Sequence, residues 1–138
     1  MTISTYATLL NAKVIIPSQR TNYYAVQKDH FFDFLRPLIA GILFDEAWYL
    51  AAYPDIAEAI AAGVIPSARE HYLQSGYFEH RLPYDIEVHS DWYVAQYDDV
   101  RAAVAAGTFT DGRDHFLQSG FREGRLPHPG FALKTTAT

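Results

Sequence analysis

The sequence predicts an all-α protein: an N-terminal helical leader followed by two tandem 44-residue three-helix repeats. Three observations predict it. The stretch Arg69-Glu-His-Tyr-Leu-Gln-Ser-Gly-Tyr-Phe-Glu-His-Arg-Leu-Pro83 returns as Arg113-Asp-His-Phe-Leu-Gln-Ser-Gly-Phe-Arg-Glu-Gly-Arg-Leu-Pro127. Laying 44–87 over 88–131 needs no gap and gives 19 identities in 44 positions, and a fixed period of this size marks stacked helical units. Within both copies the apolar spacing and the helix start and stop signals agree with helix, and no run alternates as a strand. The boundaries read as a leader over 1–43, copies over 44–87 and 88–131, and a short tail over 132–138, all in one compact domain.

In the leader, Tyr6 to Ile16 has enough apolar character for a short helix or strand, and Pro17 to Asn22 reads as a loop. From Tyr23 to Leu35 the spacing turns helical, with Tyr24, Phe31, Phe32 and Leu35 on one face. Pro37 then ends or kinks that helix, because it lacks an N–H and crowds the preceding turn. A second short helical segment is expected over Leu38 to Leu43.

Each copy reads as three short helices. The first opens at Asp45, whose carboxylate can cap free N–H groups, and Ser90 or Asp91 takes that place in the second copy. Pro54 suits a first helical position. After it, Ile56, Ala59 and Ile60 form an apolar stripe matched by Val100, Ala103 and Val104. Gly63 and Gly107 follow where a left-handed stop is expected. The third helix starts with the capping-box pattern Ser67-Ala-Arg-Glu70, echoed by Asp111-Gly-Arg-Asp114. It is expected to end at Ser75 and Ser119, with Gly76 and Gly120 as its stops. The tail from Lys134 to Thr138 is polar and expected to fray.

Composition narrows the function classes. The 138 residues are 49% hydrophobic and 15% aromatic, so the chain is not disordered. A net charge of −5 without a basic stripe argues against nucleic-acid binding. The chain has no cysteine, which excludes disulfides, thiol nucleophiles and Cys-type zinc sites. The first residues lack the features of a secretory signal. The most apolar run, Phe31 to Phe44, is broken by Asp33, Arg36 and Pro37 and is too short to span a membrane, which needs about 20 residues. A soluble, cytoplasmic protein is the expectation, with peripheral membrane contact through the aromatic 30s left open.

The polar residues common to both copies are the candidates for chemistry: Asp55/Asp99, Arg69/Arg113, His71/His115, Gln74/Gln118, Glu79/Glu123 and Arg81/Arg125. His71 and His115 could be general bases or metal ligands. Against that, no His-Glu-x-x-His pattern exists, and neighbouring Glu70 and His71 diverge around the helix. A hydrogen-bonded structural histidine is the favoured reading. Arg81 and Arg125, each in a turn, are read as tethers to an acidic residue such as Asp55 or Asp99, or to free helix carbonyls. Two copies of one fold need the same internal ties twice, whereas an active site is needed once. Trp48 and Trp92 are read as core in preference to a sugar-stacking platform. His30, His80, His89 and His128 are too scattered for a zinc cluster. No nucleophile elbow, phosphate loop or dinucleotide fingerprint occurs, so no catalytic residue, cofactor or metal is expected.

The pattern Phe-Asp-x-x-Trp/Tyr-Tyr-Leu-x-x-Tyr-Pro-Asp-Ile, then His-Tyr-Leu-x-x-Gly, then Glu-x-Arg-x-Pro, resembles a short helical repeat of bacterial proteins. That repeat stands beside glycosyltransferase modules and in large surface-polysaccharide-associated proteins. The likeness covers Phe44 to Phe131. The first copy has His80 where the repeat has glycine, and the second has Asp98 in place of Pro54. The resemblance implies a non-catalytic interaction or assembly module, accessory to bacterial polysaccharide or cell-surface machinery. The alternatives are a carbohydrate-binding module using exposed Tyr and Trp and, third, a small hydrolase or transferase. Two repeats leave outer faces to cover, and the leader aromatics Tyr24, Phe31, Phe32 and Phe34, or a terminal repeat face, are the candidate interface of a homodimer or of a complex with another protein.

Overall fold

A computed structural model describes residues 6–17 and 22–136, apart from the side chains of Tyr6, Leu9 and Asn11. Its contacts divide the chain into two compact units, Met1–Gly41 and Ile42–Thr138. The protein is mostly helical.

The first unit holds α1 (Tyr6–Asn11), β1 (Ile15–Pro17), β2 (Tyr24–Val26) and α2 (Lys28–Ala40). β1 and β2 form an antiparallel pair, with Ile15 opposite Val26 and Pro17 opposite Tyr24. This corrects the helix expected from Tyr23: Tyr24 and Val26 favour an extended chain beside Ile15 and Ile16, and the helix begins only after Gln27, itself extended. Residues 18–21 of the expected loop lie outside the described residues. Pro37 does not end the helix, and no separate helix covers Leu38 to Leu43; α2 continues to Ala40. Asp33 and Pro37 are both exposed, where the hydrogen bond that proline removes is cheapest to lose.

The second unit holds α3 (Glu46–Ala52), α4 (Pro54–Ala61) and α5 (Ala68–His71), then α6 (Ser90–Gln96), α7 (Asp98–Ala105) and α8 (Gly112–His115). α5 and α8 each run on into a π-helical turn, Tyr72–Gly76 and Phe116–Gly120. Asp45 caps α3 by accepting from Trp48 N at 2.9 Å, and Ser67 caps α5 by accepting from Glu70 N at 3.1 Å. Asp111 accepts from Asp114 N at 2.8 Å. Neither Ser90 nor Asp91 caps α6. Ser90 is its first residue, and its hydroxyl accepts from Gly112 N at 2.8 Å, tying α6 to α8.

Left-handed stops fall at Gly63 (φ 71°) and Gly107 (φ 74°). The other two do not fall at Gly76 and Gly120, which lie inside the π-turns. The stop comes four residues later, at His80 (φ 61°) and Gly124 (φ 72°). There Arg81 N bonds Gly76 O at 2.9 Å and Arg125 N bonds Gly120 O at 2.9 Å, closing Schellman-type ends.

The buried centre is aromatic: Tyr49, Tyr72, Tyr93 and Phe116 are the largest fully buried side chains. Leu82, Tyr84 and Ile86, which leave the first 44-residue segment, are buried in one cluster with Tyr93, Val100 and Phe116 of the second. Trp48 and Trp92 pack against that cluster and stay half-buried. The tail does not fray at Lys134. Lys134 O accepts from Leu43 N at 2.8 Å, Lys134 N donates to Tyr84 Oη at 2.8 Å, and Thr135 bridges Ile42. Phe131 and Leu133 anchor it apolarly.

Candidate functional site

The polar residues shared by the two segments assemble around the tyrosines of α3 and α6. Tyr49 is fully buried, and its hydroxyl lies 2.9 Å from His71 Nδ1. His71 Nε2 faces Glu79 at 3.8 Å. Burial pushes the Tyr49 hydroxyl well above the usual phenol range and holds His71 below the usual histidine range. Both groups are therefore neutral partners.

Gly76 completes the cluster. A Cβ there would overlap Tyr49 Oη and stand 3.4 Å from His71 Nδ1. The π-turn, closing Tyr77 N onto Tyr72 O, brings Gly76 beside His71, five residues earlier. With an imidazole on one side and bare backbone on the other, the hydroxyl leaves no approach for a reactant.

The arginine ties lie just outside. Arg81 donates to both Asp55 oxygens, at 3.1 and 2.8 Å, and through Nε to Glu79 at 2.8 Å. Its guanidinium lies 4.9 Å from the Tyr53 ring centre, and Tyr53 Oη accepts from Leu82 N at 2.7 Å. The turn after the π-segment is thus locked to the start of α4. The hydrogen bonds from Arg81 hold the Asp55 carboxyl below the usual carboxylate range. Arg69 makes another tie, donating to Ile42 O at 3.1 Å.

The second segment repeats these contacts 44 residues on. Tyr93 Oη lies 3.0 Å from Nδ1 of buried His115, and a Cβ at Gly120 would overlap that hydroxyl. Burial pushes Tyr93 up to about 12. Arg125 donates to Asp99 at 2.8 and 2.6 Å and to Glu123 at 2.6 Å, and its hydrogen bonds hold Asp99 down to about 2. Tyr97 Oη accepts from Leu126 N at 2.9 Å, and Arg113 donates to Ile86 O at 3.0 Å. Gln118 bonds Asp114 at 2.6 Å, and Gln74 bonds Glu70 in the same way.

Sequence reasoning singled out the histidines and arginines but missed the tyrosines that receive them and the glycines that make room. The available signal was the Trp-Tyr pair and the glycine after Gln-Ser, present in both copies. Of the leader aromatics, Tyr24, Phe31 and Phe34 are exposed and Phe32 is half-buried. His89 and His128 lie 5.0 Å apart between ring centres. Among the described residues no group of three or more His, Asp or Glu could hold a metal, and no helix is long and apolar enough to cross a membrane.

An open cleft of about 510 Å³ is lined by Tyr53, by Glu79, His80 and Arg81 of the turn after the first π-segment, and by Leu117 and Arg122 in and just after the second. No family model matches the chain, and neither a curated protein nor a solved structure matches it.

Proposed function

We propose that the protein is a non-catalytic interaction and assembly module, in which a scaffold of two copies of one three-helix unit presents an apolar leader. The observation that carries this reading is the surface of the first unit. Ile16, Tyr23, Tyr24, Val26, Phe31, Phe34 and Leu38 are all exposed there, and Ile39 is its one fully buried hydrophobic side chain among the described residues. A unit of this size cannot supply its own core, and a chain without cysteine has no disulfide to substitute for one. So many apolar side chains on one small unit mark a surface made to be covered.

The two-copy scaffold is supported by the element bounds, which return 44 residues on, and by the same tyrosine, histidine, arginine and glycine contacts in each segment. The shared polar residues are consumed in internal ties, which favours a scaffold over an active site. The two tryptophans pack on the core, so a sugar-stacking role would fall to other aromatics. A second copy of this chain is the proposed partner, through a two-fold contact of the leader surfaces. The resemblance to the bacterial repeat supports the reading of an accessory role beside polysaccharide or cell-surface machinery. Sedimentation equilibrium tests the assembly: the mass should rise with concentration from 15.6 kDa towards twice that value. A mass fixed at 15.6 kDa into the high micromolar range refutes it.

A further inference from the structure

The cleft beside His80 brings together two positions at which the segments differ. His80 stands where the second segment has Gly124, and Arg122 stands where the first has Phe78. Both line the same cleft. The backbone at His80 is left-handed, at φ 61°, a conformation that Gly124 adopts freely at φ 72°. For a residue with a side chain it costs about 1 kcal/mol or more. The chain thus carries an imidazole at a stop where glycine would be the more stable choice, and strain of this kind gathers at binding sites.

The hydrogen-bond inventory of the walls fixes what the cleft can take. Arg81 is committed to Asp55 and Glu79, and Glu79 is committed to Arg81 while facing His71. The Tyr53 hydroxyl is held by Leu82 N. The side chains of Arg122 and His80 make no hydrogen bond or ion pair among the described residues. Arginine only donates, and the carboxylates nearby are already engaged, so a ligand must bring its own acceptors. Leu117 and the Tyr53 ring offer a limited apolar wall for its body.

We propose that this cleft is an oxyanion-binding site, in which Arg122 and His80 clamp the phosphate or carboxylate group of a small molecule. The cleft is built from residues of the second unit and the leader surface from residues of the first, so either proposal can fail without the other. The test is an NMR titration of the full chain, with inorganic phosphate and with acetate in separate arms, following the Arg122 Nε–H and the His80 ring. The expected result is a saturable shift at both residues with at least one anion. Phosphate alone would assign a phosphate-bearing ligand, and acetate a carboxylate. Arg122→Ala and His80→Gly should each weaken binding about tenfold, the loss of one charge-assisted contact. His80→Gly should do so while raising the melting temperature, which separates lost binding from lost folding. No saturable shift with either anion, or wild-type affinity in either variant, overturns the proposal.

Discussion

The two units of the chain meet the problem of burial in opposite ways. Ile42–Thr138 encloses four large aromatic side chains and spends its shared polar groups on internal ties, twice over. Met1–Gly41 buries one hydrophobic side chain among those described and leaves seven large ones exposed. The difference teaches where to look for each property. On this account stability is concentrated in the tyrosine, histidine and glycine clusters of the second unit, and the proposed association in the exposed surface of the first. Substitutions in the clusters should therefore move the melting temperature, and substitutions on the leader surface should move the mass.

The largest effect is expected at the glycines under the tyrosines. Gly120→Ala inserts a methyl group where Tyr93 Oη already sits, and should cost about 3 kcal/mol in a denaturant titration. Gly76→Ala should behave alike. A loss below half of that at both positions would mean that the clusters are not the tight points of the unit.

A smaller effect, of opposite sign, separates the two segments from each other. Tyr72 Oη is buried without a hydrogen-bond partner among the described residues, and Phe116 fills the same place without a hydroxyl. Tyr72→Phe should stabilise the protein by about 1 kcal/mol, and Phe116→Tyr should destabilise it similarly. Destabilisation by Tyr72→Phe would mean that the hydroxyl is satisfied in solution.

The smallest expected effect is the pH response of His71. Burial lowers its pKa in the folded chain, so protons bind the unfolded chain more readily. Its contribution is complete above the ordinary histidine value near ~6.5 and is lost as pH falls below it. Melting temperatures between pH 8 and pH 5 should decline less steeply in His71→Asn than in the wild type. Equal slopes would show that His71 does not feel its burial.

Much of the second unit was legible in the sequence because a duplication states each signal twice. The caps at Asp45, Ser67 and Asp111, the stops at Gly63 and Gly107, and the pairing of Arg81 with Asp55 all follow from local rules. The function of Gly76 was not legible, because a glycine after a helix reads as a stop unless the widened turn and the Tyr49 hydroxyl are known. The leader was read less well. Tyr24 to Leu35 carries apolar residues at helical spacing, yet its first three residues pair with Ile15 to Pro17, a long-range choice that periodicity cannot register. The tail was misread for a related reason. Its polarity hides main-chain bonds from Lys134 to Leu43 and Tyr84, which depend on distant partners and not on the side chains of the tail.

The central claim is that the leader surface joins two copies of the chain, and light scattering of the wild type beside Phe34→Asp tests it most directly. Phe34 is 69% exposed, so a charge there leaves the buried centre of the protein untouched. At a concentration where the wild type has twice the mass of 15.6 kDa, the variant should fall to the single mass with an unchanged melting profile. A wild type that stays at 15.6 kDa, or a variant that keeps the doubled mass, would contradict the account.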